Sequence, residues 1–489
     1  MVGPEFDPAS SRFQGANTAK AVIVGSGPNG LSAAITLARA GVEVTVFEGR
    51  ETIGGAASTG QITLSGFHHD LGASIFPMGI SSPFFQTLPL ADFGLKWIEP
   101  GAPLAHPLDD GTAVMLEHDL TATAANLGPD GLAFIRLMRP LVEQWPALCR
   151  EILGPVIHIP SHPMLMARFG ILATLPADLL AKALFRGPRA RALFAGNGAH
   201  SVLPLESPFS AAVGLVLGAA GHAAGWPIAA RGAQSISNAL AGYLRSLGGR
   251  IETGHSITSF KELAEYDAVL CDISPRQLPQ LAGDDLSPNY RRNLENFRYG
   301  PGAFKIDWAL CDPIPWRAKD CLRAATVHLG GSLEEIAASE RAPWDGRVDG
   351  KPFVLVAQPS LFDPTRAPAG KHTAWGYCHV PNGFTGSAQE LIEDQVERFA
   401  PGFRDCVIAR KVWSTATLER WNPNLVGGDL SGGAMSISQL IFRPTVRQYR
   451  TPKKGLYLCS ASTPPGGAVH GMCGHLAAQA ALSDLCVKN

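Results

Sequence analysis

Residues 21–55 read AVIVGSGPNGLSAAITLARAGVEVTVFEGRETIGG. The apolar run Val22–Val24 predicts a short strand, and Gly25-Ser26-Gly27-Pro28-Asn29-Gly30 predicts the turn after it. A helical pattern runs to Ala40, Gly41 closes it, and a second strand over Val42–Phe47 ends at Glu48. This is a strand–turn–helix–strand unit with a carboxylate at its end. Gly25 permits the tight turn, Gly27 lets a pyrophosphate approach the backbone, and Gly30 lets helix and strand pack closely. The free N–H groups and positive end of the helix dipole face the phosphates. Glu48 lies 18 residues past Gly30, close to the spacing of about 20 at which an acid meets a ribose. A lone GxGxxG motif is weak evidence. Strand, helix and acid together predict a dinucleotide site.

Arg50-Glu51-Thr52-Ile53-Gly54-Gly55 follows the acid directly. This resembles the second glycine doublet of the glutathione-reductase-type FAD fold, in which a further loop wraps the pyrophosphate. The far end of the chain carries a matching signal. Gly455–Ser460 predicts a strand, which leads through Ala461–Pro465 into Gly466-Gly467-Ala468-Val469-His470-Gly471-Met472-Cys473-Gly474 and a final helix over His475–Leu485. A glycine-rich turn into a helix aims N–H groups and a dipole at a ligand. Facing a flavin, it would stabilise the reduced anion.

The 489 residues carry a net charge of −1, which leaves no basic footprint for nucleic acid. Charged residues make up 17% and hydrophobic ones 46%, so large buried surfaces, an apolar cavity or contact with a membrane surface are expected. Nine scattered cysteines without a CxxC pair give neither a disulfide framework nor a zinc site. A reducing, cytoplasmic compartment is expected. Residues 1–20 are polar, partly vector-like in character, and outside the expected fold; no signal peptide is expected there. No uninterrupted apolar run reaches the ~18 residues of a membrane span.

Between these ends, Gln61–Leu64 predicts a strand, followed by Phe67-His68-His69-Asp70-Leu71-Gly72-Ala73-Ser74. The adjacent histidines point to opposite sides of an extended chain, so no metal is expected. Residues 119–225 read as short apolar helices punctuated by Pro and Gly. Met164, Met166, Phe169, Leu172 and Leu175 belong to a core, line a pocket for an apolar ligand or lie on a membrane. Ser235–Leu247 predicts a helix, with strands at Arg250–Thr253 and Asp267–Cys271 returning to the cofactor sheet. Gly300–Leu310, Lys351–Ala357 and Thr373–Val380 predict a mixed sheet, and Trp421–Gly433 a loop.

The chain resembles the phytoene-desaturase-like FAD oxidoreductases, in particular the branch called pyridine nucleotide-disulfide oxidoreductase domain-containing protein 2. The resemblance rests on VIVGSGPNGLSAAITLARAG, IGGAAST, FHHDLGAS, DAVLCDISPRQL, GAFKIDWAL and GLYLCSASTPPGGAVHGMCGHLAA. It implies an α/β fold: a glutathione-reductase-type, FAD-binding Rossmann domain with an inserted α+β substrate domain of mixed sheet and apolar helices. The expected cofactor domain is discontinuous, comprising 21–105, 231–275 and 455–489. The substrate domain comprises 106–230 and 276–454. Ser460-Ala461 departs from the pattern by lacking an acid for the ribityl chain, which leaves that contact to backbone or Ser460.

The residues expected to hold FAD are Gly25, Gly27, Pro28, Asn29, Gly30, Glu48, Gly49, Arg50, Gly54, Gly55 and Ala56, joined by Ser460, Gly467, His470, Gly471 and Met472. The expected reaction passes a hydride from a C–H bond of an apolar, lipid- or polyene-like molecule to flavin N5. Oxygen, a quinone or another acceptor then removes the electrons. Lys305, in an apolar strand, is the first candidate beside the flavin, because in related amine oxidases a lysine reaches N5 through water. Asp307 shares its strand face and is the expected partner. His470 is either an acid or base at the flavin or a helix cap. Three alternatives stay open: redox-neutral isomerisation, amine oxidation, and a non-catalytic partner-binding protein that keeps FAD for stability. Membrane contact and self-association are also open.

Overall fold

Strands that are apolar on both sides must be covered on both faces. Ala21–Val24 is such a strand, and the computed structural model, which describes residues 19–155 and 157–486, buries it at the centre of a parallel sheet. The expectation for the polar tail falls outside the described residues as far as residue 18. Lys20 already belongs to β1 (Lys20–Val24).

The chain alternates between two sheets. β1, α1 (Pro28–Arg39) and β2 (Glu43–Phe47) begin the first. β3 (Ala102–Pro107) and β4 (Ala113–Leu116) begin the second. Helices follow, among them α2 (Pro188–Ala199) and α3 (Ser210–Ala223). α4 (Gln234–Ser246) leads back to the first sheet through β5 (Arg250–Glu252) and β6 (Ala268–Cys271). The second sheet then gains β7 (Gly302–Leu310), β8 (Ala324–Leu329), β9 (Val354–Ala357), β10 (His372–Val380) and β11 (Val407–Trp413). β12 (Leu456–Leu458) and α5 (Met472–Cys486) close the first.

The first sheet has the order β12-β6-β1-β2-β5, all parallel. The second has the order β11-β7-β10-β9-β8-β3-β4 and is antiparallel except for the β8–β3 pair. The boundary expected after residue 105 falls inside β3, whose six residues are all buried.

α1 packs between the first sheet and α5. The approach is so close that a Cβ at Gly474 would overlap the carbonyl oxygen of Asn29. α3 has apolar or small residues around most of its surface because it is covered by α2 and by the second sheet, where Phe194, Leu215 and Ala219 meet Leu104 and Leu355. The expected strand at Gln61–Leu64 is irregular. Thr59-Gly60 instead pairs with His69-Asp70, and the Gln61 side chain accepts from the Gly66 N–H at 2.8 Å, closing the loop between them. No single described helix is long and apolar enough to cross a membrane.

Candidate functional site

Parallel sheets bind ligands beyond the carboxyl ends of their strands. Four neighbouring strands of the first sheet end side by side here, at Leu458, Cys271, Val24 and Phe47. The residues just beyond these ends line one cleft: Ser460 after β12, Asp272 after β6, Gly25–Asn29 after β1 and Glu48 after β2.

The Glu48 carboxylate is fixed from behind. Oε2 accepts from the N–H of Ser26 at 3.0 Å and from its hydroxyl at 2.6 Å, and Oε1 accepts from the Arg50 N–H at 3.0 Å. No side chain caps the N-terminus of α1, so its amides stay available to an anion. A Cβ at Gly27 would stand 2.6 Å from Asp272 Oδ2, and the φ of Gly25 is +102°. The buried Asn29 Oδ1 has no protein partner although Asn29 lines the cleft. Asp272 accepts from the Gly30 N–H at 3.0 Å. Burial, with the Glu48 charge adding to it, pushes its carboxyl up to about 7. An acid held near neutrality weakens the repulsion an ionised carboxylate would exert on phosphates.

The cleft continues as a cavity of about 710 Å³ that reaches Gly467–Val469 and the second sheet. There the ammonium of Lys305 meets Asp307 Oδ2 at 2.5 Å and donates to the Asp70 carbonyl at 3.0 Å. It lies 5.9 Å from the Trp375 ring centre and 6.0 Å from that of Trp413. Trp413 Nε1 donates to the same Asp307 oxygen at 2.8 Å. Asp70 is paired with buried Arg366 at 2.8 Å and accepts from Ser74 at 2.5 Å. Burial opposes ionisation of Asp70, but Arg366 and these donors hold it below the usual carboxylate range. Burial, with Lys305 and Arg366 close by, lowers His69 to about 3, so it is a neutral neighbour of Asp307. The FHHDLGAS stretch therefore seats the lysine through the Asp70 carbonyl. Among the described residues no cluster fit for a metal ion exists.

The expected residues divide into two groups. Gly25, Gly27, Pro28, Asn29, Glu48, Gly49, Arg50, Gly55, Ala56, Ser460, Gly467 and Lys305 line the cavity. Gly30 and Gly54 lie behind it: a Cβ on Gly30 would overlap the Gly25 carbonyl, and Gly54 donates to the Ser26 carbonyl at 3.1 Å. Asp307 is fully buried beneath Lys305. Three C-terminal expectations are corrected. A Cβ at Gly471 would overlap the Ser32 hydroxyl, so this glycine serves helix packing. Met472 begins α5 within the core of the first sheet. His470 is 1% exposed and does not face the cavity. Its Nδ1 accepts from the Met472 N–H at 3.0 Å, and burial lowers it to about 4. Gly471, at φ +70°, turns the chain so that His470 caps α5 from inside.

The sequence reading missed Asp272, His255 and the Arg420–Leu425 wall. The signal for the wall was the Asn422-Pro423-Asn424 turn. Asn424 donates to the Asp272 carbonyl at 2.9 Å and accepts from the Ser274 N–H at 2.7 Å, and Arg50 lies over the Trp421 ring at 5.4 Å.

An uncapped helix end, a tethered acid beyond β2, an orphaned amide oxygen and a second glycine turn farther along one cavity fit FAD. The fold and this cradle define an FAD-dependent oxidoreductase. Residues 23–88 match the family model of the NAD(P)-binding Rossmann-like domain. Along nearly its whole length the chain is similar to mouse pyridine nucleotide-disulfide oxidoreductase domain-containing protein 2, with 27% identity over 95% of this chain and 93% of the mouse protein. A shorter stretch, 22% of this chain and 19% of the relative, is 37% identical to a limonene dehydrogenase component of Castellaniella defragrans. In fold it is similar to putrescine oxidase bound to putrescine, with a TM-score of 0.62 and 18% identity over 96% of this chain and 99% of that one.

Proposed function

We propose that this chain is a dehydrogenase or oxidase that removes hydrogen from a C–H bond of an apolar small molecule. The observation that carries this reading is the cavity wall facing the cradle, where Ile75, Met78, Leu217, Trp226, Leu355 and Trp375 surround a single lysine. FAD, held by the cradle, supplies the two-electron acceptor. The apolar wall positions the substrate and excludes water. Lys305, fixed by Asp307, the Asp70 carbonyl and two indole faces, presents an N–H donor to a water or substrate atom at one place. The relative named as a limonene dehydrogenase component supports an apolar substrate in this fold.

Purified protein carrying stoichiometric FAD, bleached anaerobically by a substrate whose product is two hydrogens lighter, is the expected result. Product of unchanged mass would favour redox-neutral isomerisation. A protein that neither retains nor takes up FAD would overturn the reading. Nine free thiols suit the reducing, cytoplasmic compartment we propose. Exposed Ile159 and Met164, at 95% and 86%, support peripheral membrane contact, which co-sedimentation with vesicles tests.

A further inference from the structure

Alternate residues of a strand share a face, and the second sheet uses this to build the far end of the cavity. Lys305 pairs with Tyr377, Tyr377 with Leu355, and Leu355 with His328. One row therefore crosses four adjacent strands: the lysine on β7, a phenol on β10, an aliphatic side chain on β9 and an imidazole on β8. Thr326 lies two residues before His328, on the same face. His200, at the end of α2, closes the row from above, its Nε2 2.9 Å from Nε2 of His328.

Tyr377, Thr326 and His200 all line the cavity. Among the described residues, the Tyr377 hydroxyl, the Thr326 hydroxyl and Nδ1 of His200 have no hydrogen-bond partner, yet none of them is among the atoms sealed from solvent. Three polar atoms thus open into a space otherwise walled by Leu217, Trp226 and Leu355. A polar group left unpaired there is costly, and a ligand that pairs it is favoured.

The ionisable groups around this end already have partners. Lys305 faces Asp307, and His379 meets buried Glu340 at 2.7 Å. His106, behind His328, hydrogen-bonds the Gly331 carbonyl through Nε2 at 2.8 Å. Burial lowers His200 to about 3 and His106 to about 4, and holds His328 well below its ordinary value. All three rings are neutral near pH 7. A carboxylate or ammonium entering here would be a buried charge without a counter-ion.

We infer that the substrate is an apolar molecule bearing one uncharged hydrogen-bonding group, a hydroxyl or carbonyl, which Tyr377, Thr326 and His200 receive. This rests on the dehydrogenase reading above and narrows its substrate class, setting it apart from amines and carboxylic acids.

The test titrates the flavin-loaded protein with cyclohexanol, cyclohexanone, cyclohexylamine, cyclohexanecarboxylate and methylcyclohexane, reading the perturbation of the flavin spectrum. Cyclohexanol or cyclohexanone is expected to bind about tenfold tighter than the other three, roughly the value of one satisfied hydrogen bond. Tyr377→Phe and, separately, Thr326→Val should each reduce that preference severalfold at unchanged flavin content. Equal or tighter binding of the amine or the carboxylate overturns the inference. So do saturation by none of the five and a preference untouched in both variants. A protein that purifies without flavin overturns the earlier reading and this one with it. A flavin-loaded protein without the preference overturns this one alone.

Discussion

The cradle and the far wall of the same cavity are made of different material. The cradle is mostly backbone: amides at the start of α1, glycines where any Cβ would intrude, and one carboxylate tied to its own turn. The wall is side chains delivered by four strands and a helix, from His200 to Tyr377. A backbone site depends on conformation, so few side chains satisfy it. A side-chain site depends on register and burial, and its chemistry can be altered one group at a time.

The most severe way to break this contrast is at Gly27. A valine there would drive its Cβ into Asp272 and its methyl groups into the phosphate path. We expect Gly27→Val to fold and to purify colourless, with no flavin absorbance even after incubation with FAD. Retention of normal flavin would mean that the cradle does not rely on backbone approach.

Lys305→Met probes the wall. It leaves Asp307, fully buried, without its cation, and breaking a buried pair costs about 3–5 kcal/mol. Flavin should stay bound while its reduction or reoxidation slows. Adding Asp307→Asn should return part of the lost stability and none of the rate. Restored kinetics in the double variant would assign Lys305 to structure alone.

These two regions also differed in how far they could be read from the sequence. Gly25 to Glu48 is local: 24 residues contain the strand, the turn, the helix dipole and the acid. Lys305 and Asp307 could be paired because two residues on one strand share a face. Nothing local could say that Tyr377 stands opposite Lys305, or that His200 meets His328 across 128 residues. The same limit explains the error at His470. A glycine-rich turn into a helix predicts N–H groups aimed at a ligand, but at Gly471 and Gly474 the absent side chains make room for α1 instead.

Acid acts on buried histidines and buried acids with opposite sign. His69 and His200 sit at about 3, and His106, His222, His470 and His475 at about 4, all lowered by burial. A group with a lowered folded pKa that must stay neutral gives full stability above the unfolded value of about 6.5 and loses it as pH falls toward 4. Asp272, raised to about 7, runs the other way: its stability is full when protonated and declines as pH rises from about 4 through 7. Asp307 and Asp429 are raised by burial as well, and the lowered histidines outnumber all three. Urea unfolding should show stability falling from pH 6.5 to 4.5 with a slope of several protons, each about 1.36 kcal/mol per pH unit. His200→Phe should remove about one proton from the slope, and a flat profile would break the assignment of neutral buried rings.

The finest test asks whether the Glu48 side chain behaves like the backbone around it. Glu48 is held by Ser26 and Arg50 in the absence of any ligand, so its carboxylate is preorganised, and binding need not order it. Glu48 lines the cavity, and in the proposed reading the ribose of FAD offers it two hydroxyls. Hydrogen bonds to a charged acceptor contribute about 1.5–3 kcal/mol, so Glu48→Ala should weaken FAD binding by roughly ten- to a hundredfold. The rate of flavin reduction at saturating FAD should not change, because in the proposed reading the carboxylate acts at the adenosine end and Lys305 at the other. Glu48→Gln keeps the size and one acceptor oxygen and should fall between. If Glu48→Ala instead slowed reduction of fully bound flavin, the two ends of the cavity would be coupled.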